Sequence, residues 1–194
     1  MATIPGSAKK VIAEFPLGFV ATVSPQGKPC VSPKGTFLVV EDDAIAFGEI
    51  RSPQTIANLT ADPHTEVNFV DPFSRKGVRI RGTATLIRRG EDAFEALIGR
   101  WNEVWGGLAD RINILVRISA DEIKPLTTPP YDEGASEAEM IALYKRKFAE
   151  IYPLSRFRQR PAPSSSVAAY RAARWPITSA SSAGATSSCW SASS

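Results

Sequence analysis

The chain has 194 residues, of which 43% are hydrophobic and 22% charged. That suits one globular domain with a full core plus a tail, and no apolar run approaches the roughly 20 residues of a membrane span. The net charge of +3 comes from the end of the chain, because five of the 23 basic residues follow Glu150 and none of the 20 acidic ones does. The part before is slightly acidic. This argues against a nucleic-acid-binding barrel built on Lys34, Arg51, Lys76, Arg79 and Arg81 with Phe37 or Phe47 for stacking, so no nucleic-acid partner is expected.

Met1 to Lys10 carry no apolar segment behind a charged start, so no secretory leader is read there and a cytoplasmic location is expected. Cys30 and Cys189 are far apart and give neither a disulfide framework nor a metal spacing. With His64 as the one histidine in the sequence, no metal site and no nucleophile, base and acid set can be assembled. Any redox chemistry has to come from a bound cofactor.

In chain order, Ser7 is read as the cap of a short helix to Phe15, with Ala8, Val11, Ile12 and Phe15 on one face. Phe19 to Ser24 and Pro29 to Ser32 read as strands around the turn Pro25-Gln26-Gly27-Lys28. Thr36 to Val40 and Ala44 to Phe47 form a second pair around Glu41-Asp42-Asp43. Ser52 and Pro53 then make a helix start, because a serine hydroxyl can accept an orphan N–H and proline has none to lose. Asp62-Pro63-His64 ends that helix. Thr65 to Val70 and Lys76 to Arg88 are strands, Glu91 to Trp105 has helical apolar spacing, and Ile112 to Ile118 is a last strand. Ser136 and Glu139 form a capping box for a final helix carrying Met140, Leu143, Tyr144, Phe148 and Ile151. From Ser164 onward the sequence is dominated by serine and alanine, so residues 154–194 are read as a disordered or loosely docked basic tail behind a domain of residues 1–153.

The junction Phe47-Gly48-Glu49-Ile50-Arg51-Ser52-Pro53 presents a cation, a hydroxyl and free backbone N–H groups at one point, which is what a phosphate monoester needs. Together with Gly18-Phe19-Val20-Ala21-Thr22-Val23, Ser32-Pro33-Lys34-Gly35-Thr36, Asn58-Leu59, Asp62-Pro63 and Arg79-Ile80-Arg81-Gly82, it resembles the pyridoxamine 5′-phosphate oxidase-like family of flavin-binding proteins over about Ser7 to Tyr152. The resemblance implies a mainly β fold with flanking helices, a six-stranded Greek-key split β-barrel. It also implies a homodimer with FMN in clefts between subunits, and a small-molecule or nicotinamide partner for hydride transfer through flavin N5. By position, Ser32, Pro33, Lys34 and Gly35 would line the flavin and ribityl chain. Gly48 and Glu49 end the next strand, Arg51, Ser52, Pro53, Gln54 and Thr55 would grip the phosphate, and Lys76 and Arg79 would lie near the flavin pyrimidine edge.

Two departures qualify the resemblance. Family members often have a lysine where Thr55 stands, so F420 and heme stay open beside FMN, as does a carrier or sensor without catalysis. True pyridoxamine phosphate oxidases resemble one another in a C-terminal segment where an arginine and a histidine meet the substrate, and the one histidine here is His64 in the turn after the helix, so the vitamin B6 reaction is not expected. Plain structural readings also stay open. Lys34 could be a solvated residue that protects a sheet edge, Glu49 could pair with Arg51, and Arg79 and Arg81 could occupy a solvated sheet face. Trp101 and Trp105, four apart on a helix, are read as core or dimer contacts.

Overall fold

The structure, a computed structural model, describes residues 1–153; the predicted tail lies outside them. Its strands are β1 (Gly18–Val23), β2 (Pro29–Lys34), β3 (Phe37–Glu41), β4 (Ala44–Glu49), β5 (His64–Val70), β6 (Gly77–Arg88) and β7 (Ile114–Leu126). The helices are α1 (Gly6–Glu14), α2 (Pro53–Ala61), α3 (Asp92–Trp105) and α4 (Glu137–Ile151). All strand pairs are antiparallel, in the order β2-β1-β5-β6-β7-β4-β3. The hairpins β1–β2 and β3–β4 thus flank the long β6–β7 pair, and β2 and β3 are the two edges. This makes seven strands where the resemblance implies six.

Alternation sorts the side chains. Along β1 and β2, Gly18, Val20, Thr22 and Lys34 are buried while Phe19, Val23, Val31 and Pro33 are exposed. The main core joins Val20, Phe37, Phe47, Val67, Phe69, Val78, Ile80 and Ile118. Gly18 belongs here for want of a side chain: a Cβ would lie 2.6 Å from the Phe37 ring and 2.7 Å from that of Phe69. Those two rings meet edge to face, 4.8 Å apart.

Helix α1, with Ala8 and Ile12, and Ile4 just before it close one end of this core. The helix cap is Pro5 rather than Ser7, with no side-chain capping bond. The reason lies upstream. Ile4 is buried and its N–H bonds Asp42 O at 2.7 Å, while Ala2 N–H bonds Ala120 O at 2.6 Å, so the sheet holds the segment extended until Pro5 frees it.

A second core lies under α3, where Phe94, Trp101 and Trp105 pack with Ala46, Ile112 and Leu115. Both tryptophans are therefore core residues. Strand β7 runs eight residues beyond the predicted end, to Leu126. The polar half of this extension is held across β6 by the backbone ladder and by Glu122, which stands opposite Arg81 beyond a bulge at Arg81/Gly82 and pairs with both Arg81 and Lys124. The capping box at Ser136 and Glu139 forms as read. Helix α4 is docked on the β5–β6 turn by the Phe73–Phe148 ring pair, by Arg75 over Tyr144 and by Lys76 with Glu137.

Candidate functional site

Three short pieces meet around the junction of β4 and α2: the end of β2, the turn into β3 and the end of β4. Thr36 in that turn is buried and serves both main-chain groups of Gly48. Its own carbonyl accepts the indole N–H of Trp101 at 2.8 Å. Gly48 must be glycine, because a Cβ would run into the side chain of Ile112. The β4 end is thereby locked before the chain leaves the sheet.

Lys34 is 8% exposed, on the inner face of β2. It is not the solvated edge lysine that its position suggested, because pairing with β1 turns it inward opposite Gly18. Its ammonium donates to Ser32 Oγ and stands 6.0 Å from the Phe47 ring centroid. Burial pushes its pKa below the usual lysine value, and the negative charge of Glu49 pulls it part of the way back. Ser32, Lys34 and Glu49 thus form one polar group at the edge of an apolar core.

Glu49 carries a second duty. One of its carboxylate oxygens accepts both the N–H of Ser52 and, at 3.1 Å, the Ser52 hydroxyl. Ser52 is the N-cap of α2, as read, yet its hydroxyl caps nothing and donates to Glu49 instead. Among the described residues no side chain accepts from the first turn of α2. Glu49 does not pair with Arg51, which is exposed and without an ion-pair or hydrogen-bond partner among the described residues.

The remaining phosphate candidates are placed differently. Pro53 and Gln54 are exposed. Gln54 turns along the helix and donates to Asn58 Oδ1 at 2.7 Å, and the wholly buried Asn58 donates to Thr22 Oγ1 at 2.9 Å. This chain anchors α2 on β1. Thr55 is 5% exposed. Gly35 adds only a turn, and Pro33 lies on the outer face.

Lys76 and Arg79 stand apart from this group. Lys76 is paired with Glu137 at 2.7 Å and lies 4.8 Å from the Tyr131 ring centroid. It lines a cleft of about 560 Å³ between α1 and the ends of β6 and β7, together with Lys10, Glu14, Phe15 and Asp71. Arg79 lies on the outer face in the row Pro33, Phe19, Asn68, Arg79, Lys124. Three strand spacings separate it from β2, about 14 Å. Arg81 is held by Glu66 and Glu122, and His64 is an exposed neighbour of Asp62.

Thr36 and Asn58 were not picked out as site-forming residues, although both hold the site in shape. An asparagine on the apolar side of a helix, between Ile56 and Leu59, is the signal that could have found the second.

The pyridoxamine 5′-phosphate oxidase family model matches residues 4–126, from the segment before α1 to the last residue of β7. The chain belongs to the pyridoxamine 5′-phosphate oxidase-like family. No curated protein matches it. Among solved structures it is similar to HupZ of Group A Streptococcus, at 27% identity and a TM-score of 0.56, over 64% of this chain and 95% of that one. It is also similar to HutZ of Vibrio cholerae, described as a heme storage protein, at 18% identity and a TM-score of 0.54 over 65% and 95% of the two chains. A third is an FMN-binding protein of Syntrophomonas wolfei, at 17% identity and a TM-score of 0.51 over 62% and 84%. The fold is accordingly that of the family's split barrels. Among the described residues no helix is long and apolar enough to cross a membrane.

Proposed function

We propose that the protein is an FMN-binding oxidoreductase that works as a homodimer, with its cofactor clefts between protomers and a nicotinamide or small-molecule reaction partner. The observation that carries this reading is the β4–α2 junction in a chain of this family. Among the described residues no side chain caps the first turn of α2, Glu49 links Ser52 to the charge of the buried Lys34, and the exposed Arg51 directly precedes Ser52 in the chain, a donor set suited to a phosphorylated ligand. When bound, the flavin would supply hydride transfer at N5. Lys34, Ser32, Arg51 and Ser52 would hold and orient it, Thr36 and Gly48 would fix the frame, and Arg79 would add positive charge near the ring.

A dimer gives these residues a common ligand. Lys34 on the inner face of β2 and Arg79 on the outer face of β6 do not meet within one protomer. The outer face also exposes Phe19 (45%), Val23 (41%) and Val31 (66%), with Leu17 and Val70 beside them, an apolar surface suited to a second copy of the chain.

The test is the visible absorbance spectrum of the purified protein before and after incubation with FMN and desalting. Flavin bands retained with one cofactor per protomer support the proposal, and Arg51→Ala should then weaken binding by about 1.5–3 kcal/mol. A Soret band would move the reading to heme, as in the heme storage protein that shares the fold. A deazaflavin spectrum would move it to F420. Retained flavin without turnover of NADH or NADPH would favour a carrier or sensor.

A further inference from the structure

We infer that Glu49 is an internal competitor for the ligand's phosphate at the start of α2, and so sets how strongly this site prefers a phosphorylated flavin over an unphosphorylated one. The inference rests on the flavin reading of the site and adds a specificity-determining residue to it.

The argument begins with what Glu49 touches. Its carboxylate accepts from the N–H and hydroxyl of Ser52, the residue that opens α2, and its charge acts on the buried ammonium of Lys34. A ligand phosphate at the same point would address the same groups with the same sign of charge. The two anions cannot share the place without repulsion, and the site is partly buried, so that repulsion is only weakly screened.

Pro53 has no N–H, and among the described residues no side chain caps the first turn, so the amides of Gln54 and Thr55 are left without a side-chain acceptor. A phosphate could therefore reach the helix, but it would do so against the Glu49 carboxylate or after displacing it. Displacement has a defined cost and a defined return. Ser52 exchanges one acceptor for another, and Lys34 exchanges one anion for another. What the exchange adds is Arg51, which has no partner among the described residues. The phosphate thus contributes the difference between two similar sets of bonds rather than a full set. Discrimination of this kind comes from a repulsive element in the site as much as from attractive ones. A flavin ending in a hydroxyl meets no such competition.

The experiment compares FMN and riboflavin on the full-length protein by quenching of flavin fluorescence, in wild type, Glu49→Ala and Glu49→Gln. Removing the carboxylate should raise the preference for FMN over riboflavin by about tenfold or more while riboflavin affinity stays within about twofold. Glu49→Gln, which keeps an acceptor for Ser52 without the charge, should give a gain in the same direction and guards against an alanine variant that folds poorly. An unchanged or reduced preference for FMN in the variants would overturn the inference while leaving the flavin reading intact. A readout that needs no flavin is the Ser52 amide resonance titrated with inorganic phosphate. It should shift saturably in Glu49→Ala and at higher phosphate in wild type, even if neither flavin binds. No shift in any variant would overturn the inference.

Discussion

Thr36 Oγ1 donates to the carbonyl oxygen of Gly48 at 2.8 Å and accepts from its N–H at 3.1 Å, so one hydroxyl satisfies both main-chain groups of a buried residue on another strand. This pair joins the turn that follows Lys34 to the strand end that carries Glu49. Replacing Thr36 with valine keeps the shape and leaves both Gly48 groups without partners in a dry place. The expected cost is about 1–3 kcal/mol, read from the urea midpoint, with Thr36→Ser close to wild type. A valine variant within about 0.5 kcal/mol of wild type would mean that water replaces the hydroxyl.

Lys34 yields a prediction about pH. Burial lowers the pKa of its ammonium, and Glu49 opposes that shift with the smaller effect. Between the folded-state value and the ordinary lysine value of 10.5, the unfolded chain binds a proton that the folded chain does not. The contribution of Lys34 to stability therefore rises with pH through that window, and below it the buried charge is a burden. Lys34→Met should be more stable than wild type at neutral pH, and the gap should shrink as pH rises toward 10.5. Urea unfolding of both proteins across alkaline pH measures it. A constant gap would show that the ammonium is effectively solvated.

Much of this arrangement was legible in the sequence because it depends on near neighbours. The alternation Val78, Ile80, Gly82 and Ala84 marked β6, Ser52-Pro53 marked the start of α2, and Ser136 with Glu139 marked a capping box that forms. What was not legible depends on partners distant in the chain. Lys34 is buried because β2 pairs with β1 in a register that turns it toward Gly18. Ser7 is passed over as a cap because Asp42 and Ala120 hold the residues before it. Lys124 belongs to a strand because the β6–β7 ladder runs on past it and Glu122, opposite Arg81, pairs with it. Glu49 is a case between these. It sits three residues before Ser52, the reverse of a capping box, so pattern reading had no rule for it.

The exposed outer face of β1 and β2 predicts the oligomeric state. Phe19 pairs with Pro33 and Ala21 with Val31, so Phe19 and Val31 share one apolar surface. Val31→Lys, at 66% exposure, costs the isolated protomer little, because the side chain is already in solvent. In a dimer packed through this face it would place two charges in an apolar contact. Sedimentation should show a dimer for wild type and a folded monomer for the variant. A wild-type monomer at micromolar concentration would remove the face from consideration.

The far edge of the sheet is closed by a different device, and it gives the last prediction. Among the described residues strand β3 pairs only with β4, which leaves its outer carbonyls open to another strand. Arg100 of α3 takes two of them, donating from Nη1 to Val40 O at 3.0 Å and from Nη2 to Val39 O at 2.6 Å. A guanidinium can hold two neighbouring carbonyls at once, whereas an ammonium has no such fork. Arg100→Ala should therefore lower stability by about 1.5–3 kcal/mol, and Arg100→Lys should recover only part of it. Because the freed edge can recruit another strand, the alanine variant should also associate with rising concentration through a surface distinct from Phe19 and Val31. Light scattering of Arg100→Ala in a Val31→Lys background separates the two faces. A double variant that stays monomeric at all concentrations would show that the β3 edge is protected without Arg100.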